Sequence, residues 1–267
     1  MLSPRSRSQP TLTIRDAAFG YRDLIILKQV NLSVHGGEVI GLWGANGSGK
    51  TTLLRGLIGY AYLAAGTVEL SGVSIRGGTP EEILSKHKIA YLPQEARGIP
   101  NLTVTENLEL AMWRCGGRRQ RRQAVLRLLE TEEFARLASY LSSRVSSLSG
   151  GQRLLVSLAM MAATEADLYL FDEPSGGADE QARQAGVRVM KRLANAGACV
   201  LLVEQIREVL FGVSGRVFEI VRADAQSDAT ARANTLREVL PDRLAEVRHA
   251  LAMEETRAAQ AERSHRC

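Results

Sequence analysis

Residues 38–52 read EVIGLWGANGSGKTT, and this stretch decides the fold. Val39 to Leu42 form an apolar strand-like run, glycines at 44, 47 and 49 punctuate a turn, and Lys50 and Thr51 open a helical segment. Gly44 to Thr51 fits G-x-x-x-x-G-K-[ST] at every fixed position. The geometry behind the pattern is simple. Glycines let backbone N–H groups turn inward round phosphate oxygens, and the following helix adds its positive end. Lys50 then reaches the outer phosphates as a point charge, and the Thr51 hydroxyl is placed to ligate Mg²⁺. The candidate phosphate-binding set is Gly44, Asn46, Gly47, Ser48, Gly49, Lys50, Thr51 and Thr52.

Two later strands end in polar pairs. DLYLFDEP at 167–174 stops at adjacent carboxylates, an arrangement that costs energy unless a cation or a proton relay uses it. The simplest assignment gives Asp172 to the Mg²⁺ shell and Glu173 to polarising an attacking water. ACVLLVEQIREVL at 198–210 stops at Glu204 and Gln205 and then turns helical. A glutamine at the end of a buried strand asks for a partner.

Outside these segments, short Val, Ile and Leu runs recur: TLTIRDA, LSV, TVELSG, KIAYLP and RVFEIV. Helical stretches are expected near 50–59, 103–130, 150–164 and 180–196, so the later strands alternate with helices as in a parallel sheet. The early strands, separated by turn residues such as Gly36, Gly37 and Gly72, read as antiparallel. The expected organisation is a leader at 1–11, a mixed α/β ATPase-like domain at 12–221 with a helical subdomain at about 95–164, and a helical tail at 222–267. Within that tail Leu236, Val239 and Leu240, then Leu244, Val247 and Leu251, fall at helical spacing, with Pro241 suited to a first turn.

Composition sets bounds. At 267 residues with 45% hydrophobic and 24% charged content, the chain is an ordinary globular sequence long enough for a large domain. No apolar run reaches the roughly 18 residues needed to cross a bilayer. Three cysteines without metal-ligand spacing fit a reducing compartment. The net charge of +5 is spread thinly, and direct nucleic-acid binding is not expected.

LSGGQ at 148–152 opens the helix SGGQRLLVSLAMMAA. Together with the loop at 44–51 and the carboxylates at 172 and 173, it resembles the ATP-binding cassette (ABC) ATPases, over roughly residues 12–221. The resemblance implies a P-loop NTPase core with a mixed sheet, an antiparallel β subdomain and a helical signature subdomain. It implies that two cassettes stack head to tail, Ser149, Gly150, Gly151 and Gln152 of one closing over ATP held by the other. By the same resemblance Tyr21 stacks on adenine, with Phe19 the alternative. Gln94 contacts Mg²⁺ or the attacking water, beside the metal ligands Thr51 and Asp172, and Asp179 belongs to the loop that crosses to the second cassette. Gln205, 33 residues after Asp172, stands where most such ATPases have a histidine on the γ-phosphate, and Glu173, Gln94 and Gln205 form the implied catalytic set.

VEQ at this place and PNLTVTENLEL at 100–110 look like the ATP-binding subunits of branched-chain amino acid and urea importers. Met160, Ala178 and Gln94 depart from patterns common among such proteins. The implied function is an ATP-hydrolysing transporter subunit, with ATP and Mg²⁺ as cofactors. Its implied partners are separate transmembrane permease subunits, a second identical or paralogous cassette and a solute-binding protein, at the inner face of the cell membrane. The alternative is a soluble ABC ATPase of an assembly process such as iron–sulfur cluster biogenesis.

Overall fold

The computed structural model describes residues 11–95, 98–222 and 233–264, with backbone alone from 254. The expected leader therefore lies, apart from Thr11, outside the described residues, as does the first part of the expected tail. Two sheets organise the rest. Strands β1 (Leu12–Tyr21), β2 (Leu24–Val34), β4 (Tyr62–Leu70) and β5 (Val73–Ser74) form an antiparallel sheet in the order β2-β1-β4-β5. The second sheet runs β10-β9-β3-β8-β7-β6, from β10 (Thr235–Glu238), β9 (Arg216–Val221), β3 (Val39–Trp43), β8 (Cys199–Val203), β7 (Leu168–Asp172) and β6 (Ile89–Leu92). Its strands are parallel except β10, which pairs antiparallel with β9. The architecture is the expected α/β P-loop core with an antiparallel β sheet and helices.

Alternate side chains of β3, β7 and β8 feed two apolar cores. Ile40, Leu42, Leu168, Leu170, Leu201 and Val203 pack towards the antiparallel sheet and α1 (Lys50–Leu57). Tyr169, Phe171, Val200 and Leu202 pack towards α5 (Gly150–Ala163), α6 (Glu180–Asn195) and α7 (Arg207–Val213). Burial on both faces explains why these strands are apolar without alternation. It also explains why polarity appears only at their ends, where the sheet meets solvent.

Two expectations need correction, and one helix is added. The helix expected over 103–130 is two helices, α3 (Val104–Ala111) and α4 (Arg118–Leu129), because Gly116 sits at φ 101 in a break preceded by a 3₁₀ turn at Trp113–Cys115. The added element is the short helix α2 (Pro80–Lys86), which starts at a reciprocal capping box of Thr79 and Glu82 that the sequence TPEE encodes. The tail is not helical throughout. Leu236 lies in β10, paired with Ile220, and the helix α8 (Pro241–Ser264) starts only at the proline. Short apolar runs fit either period, and an open sheet edge at β9 supplied the pairing that decided this one. Helix α8 buries Leu244 and Leu251, and Arg248 donates to the carbonyls of Phe211 at 3.0 Å and Ser214, the last turn of α7.

Candidate functional site

Strand β3 delivers the chain into a loop that only glycine can make. Gly44, Gly47 and Gly49 adopt φ of 148, 73 and 106, and a Cβ on Gly49 would lie 2.9 Å from the side chain of Ile26. Asn46, Gly47, Gly49, Lys50, Thr51 and Thr52 line a cavity of about 390 Å³, shared with Ile26, Gln94, Glu173 and Gln205. Gly44 and Ser48 belong to the same loop but do not line the cavity. The Lys50 ammonium donates to the carbonyls of Gly44 at 2.7 Å and Ala45 at 3.1 Å. Burial lowers its pKa from the ordinary lysine value, with Glu173 and Asp172 pulling the other way. A polyanion in the cavity would meet a cation held in place by neutral groups, ready to exchange them.

Asp172 ends β7 almost fully buried, 1% exposed. The Thr51 hydroxyl donates to its Oδ1 at 3.0 Å and the Tyr91 hydroxyl to its Oδ2 at 3.1 Å. Desolvation raises its pKa above the ordinary aspartate value, although both hydroxyls oppose the shift. An oxygen donor pair of hydroxyl and desolvated carboxylate suits a hard divalent cation. Among the described residues no group of three His, Cys, Asp or Glu could hold a metal alone. The Thr51–Asp172 pair fits Mg²⁺, which takes one or two protein oxygens and completes its shell with phosphate and water.

Glu173 turns out of the strand at φ 47, a left-handed conformation that costs a non-glycine residue of order 1 kcal/mol or more. Its N–H still pairs with the Val203 carbonyl at 2.8 Å, so β7 and β8 fix the point where the turn occurs. Its carboxylate accepts two side-chain amides, Gln94 Nε2 on Oε2 at 2.9 Å and Gln205 Nε2 on Oε1 at 2.8 Å. The glutamine that closes β8 is therefore a partner of the carboxylate that closes β7. Its neighbour Glu204 has a different task. Only 2% exposed, Glu204 accepts the N–H groups of Ser175 at 3.2 Å, Gln205 at 2.8 Å and Ile206 at 3.1 Å, tying the ends of β7 and β8 together.

The signature segment lies elsewhere. None of Ser149, Gly150, Gly151 or Gln152 lines the phosphate cavity. Ser149 caps α5, its hydroxyl accepting the Gln152 N–H at 3.3 Å while Gln152 Oε1 accepts the Ser149 N–H at 2.8 Å. The glycines are required by the loop after Glu173. A Cβ on Gly150 would lie 2.5 Å from the Gly177 carbonyl, and one on Gly151 2.6 Å from Asp179 Oδ2. Asp179 also caps α6, accepting the Ala182 N–H at 2.8 Å. Gln94 joins the two regions, since it also lines a cleft of about 670 Å³ with Gly98, Pro100, Ser146, Gly150 and Gly177.

Tyr21 ends β1 at 36% exposure, away from the cavity wall, whereas Phe19 is fully buried against Gly56 and cannot stack on a ligand. Sequence reasoning missed several members of the site. Tyr91 follows the alternation of β6 and gave no signal. Asn107, 0% exposed, bonds the Ile99 N–H at 2.7 Å and the Ile99 and Thr103 carbonyls, holding the chain beyond Gln94 onto α3. A lone asparagine inside the apolar helix pattern was its one available clue.

A family model described as "ABC transporter" matches residues 27–176, from within β2 to the loop after Glu173. The chain belongs to the ABC transporter family. Among curated relatives of the cassette, "Nod factor export ATP-binding protein I" of Cupriavidus metallidurans is 35% identical over 198 residues, 74% of this chain and 63% of that protein. A "probable branched-chain amino acid transport ATP-binding protein LivF" of Archaeoglobus fulgidus is 30% identical over 215 residues, 79% of this chain and 89% of that one. The chain thus matches less than two thirds of the length of the Nod factor export relatives. A solved ATP-binding subunit of an ABC transporter superposes with a TM-score of 0.68 at 29% identity, covering 78% of this chain and 85% of that one. A dimeric cassette in a post-hydrolysis state with ADP and Pi gives 0.66 at 26% identity, covering 78% and 93%.

Proposed function

We propose that this cassette binds and hydrolyses MgATP and, as a pair of cassettes, drives a transporter whose membrane-spanning part is a separate protein. The observation that carries the reading is the arrangement round Glu173, whose carboxylate is gripped by Gln94 and Gln205 at the mouth of a cavity walled by Lys50 and Thr51. In this reading Gly44, Asn46, Gly47, Ser48, Gly49, Lys50, Thr51 and Thr52 hold the phosphates. Thr51 and Asp172 hold Mg²⁺ with Gln94 beside them, and the ion, when bound, neutralises charge on the β- and γ-phosphates. Glu173 accepts the proton of the attacking water. Gln94 and Gln205 orient that carboxylate, and Gln205, which lines the same cavity, shares its amide with the γ-phosphate. Tyr21 supplies an aromatic face for adenine.

Ser149, Gly150, Gly151 and Gln152 of a second cassette complete the site, with Asp179 at the crossing. Support comes from the absence of these residues from the chain's own phosphate cavity and from the dimeric state of a similar solved cassette. No described helix is long and apolar enough to cross a membrane, which fits a subunit that works with transmembrane permeases at the inner membrane face. A solute-binding protein joins the assembly if the direction is import. Among the relatives, one name records amino acid transport and another Nod factor export. The named relatives are transport proteins, and nothing in the chain favours the assembly ATPase.

The test is phosphate release by the purified full chain with and without Mg²⁺, alongside Glu173→Gln. Turnover that needs Mg²⁺ and collapses in the variant supports the reading. Nucleotide binding with no turnover above the variant's would overturn it.

A further inference from the structure

Two side chains from beyond the family match, Arg222 and Asn234, reach back to the phosphate loop from outside. The Arg222 guanidinium donates to the Asn46 carbonyl, and Asn234 Nδ2 donates to the Ser48 carbonyl at 2.7 Å. Both residues flank the β9–β10 connection. Strand β9 runs parallel to β3, with Trp43 paired to Glu219, so its C-terminal end comes out beside the phosphate loop. Asn234 is itself fixed by its main chain, its N–H on the Ile26 carbonyl at 2.9 Å and its carbonyl accepting the Lys28 N–H at 2.9 Å. Ile26 is the side chain that backs Gly49.

The choice of acceptors is informative. In a trans peptide the carbonyl of one residue and the N–H of the next point in opposite directions, and no described peptide bond is cis. Holding the Asn46 and Ser48 carbonyls outward therefore turns the N–H groups of Gly47 and Gly49 inward. Neither of those N–H groups donates to another group of the described residues. Donors aimed in advance at the place of an anion bind it without reorganising. Glycines at φ 73 and 106 have wide freedom without an external hold.

We propose that Arg222 and Asn234 are positioning residues that brace the phosphate loop from its outer side and thereby set nucleotide affinity. The brace rests on the proposed nucleotide site and makes the C-terminal hairpin part of it. Because the braced N–H groups face the phosphate cradle as a whole, ATP and ADP should depend on it alike. Asn234→Asp places a carboxylate oxygen against the Ser48 carbonyl. Asn234→Ala removes the donor and keeps the backbone pairs.

The test measures ATP and ADP affinity of the full chain by calorimetry, with the melting temperature of each nucleotide-free variant. Asn234→Asp, Asn234→Ala and Arg222→Ala should weaken both nucleotides together, by about tenfold for Asn234→Asp, with melting temperatures near the parent's and Arg222→Lys recovering most of the loss. Unchanged affinities would overturn the brace, as would losses that track a fall in melting temperature. Loss for ATP but not ADP in Arg222→Ala would overturn it for Arg222, making that residue a direct γ-phosphate contact. No binding by the unmodified chain would remove the nucleotide site itself, whereas binding by parent and variants alike removes only the brace.

Discussion

The two halves of the nucleotide machinery in this chain are built differently. Round the phosphate loop the three charged side chains are already engaged: Lys50 with loop carbonyls, Asp172 with two hydroxyls, Glu173 with two amides. At the signature, Ser149 and Gln152 cap each other, and the glycines are shaped by the loop that leads to Asp179. One half is a preorganised polar network that a single chain can complete. The other is a capped helix end, its positive dipole flanked among the described residues by the carboxylate of Asp179. Such a difference fits the proposed division of the site between two chains.

The sharpest way to break the contrast is Glu173→Gln. Removing the proposed general base should lower turnover by roughly 10² to 10⁴ while ATP binding survives, as read by steady-state phosphate release and calorimetry. Next in size is Ser149→Ala. The cap is worth about 1 kcal/mol of helix stability, so a modest drop in melting temperature is expected. Binding by a single chain should not change, yet turnover should fall at least tenfold under the proposed role of the helix end on the partner's nucleotide. Mixing this variant with Glu173→Gln should restore one competent site per pair. No recovery on mixing would mean that signature and phosphate loop serve the same chain.

Gln205→Ala tests the other half from within. Losing one of two amides on Glu173 should cost about tenfold in kcat, or roughly 1.4 kcal/mol, with KM little changed. Gln205→His should add a titrating limb near the ordinary histidine range that the parent lacks. The smallest effect concerns Asp172. Its folded pKa is raised above the ordinary value, so the folded chain binds that proton more tightly than the unfolded chain does. Below the ordinary value both states are protonated and nothing is lost. As pH rises through the window up to the raised value, the nucleotide-free protein loses stability, and the cost persists above it. Asp172→Asn should therefore raise the melting temperature by a few degrees at neutral pH without Mg²⁺, as measured by calorimetry, while removing the metal response. A lower melting temperature would show that the hydroxyl bonds outweigh desolvation.

Much of this was legible in residues 38–52, 148–152 and 167–174, because phosphate chemistry dictates glycine, lysine, hydroxyl and carboxylate at spacings that survive any surrounding sequence. The two apolar cores were legible as runs of Val, Ile and Leu. What the sequence alone could not determine were relations between distant segments. Gln205 meets Glu173 because β8 lies beside β7, and no count along the chain states that adjacency. Residues 235–238 are a strand because β9 exposes an edge, although their spacing suits a helix. Phe19 and Tyr21 differ by two places, and only the packing of Gly56 against Phe19 separates core from surface. Local chemistry is written in local sequence, whereas partners across a sheet are chosen by strand order, a property that exists only once the chain has folded.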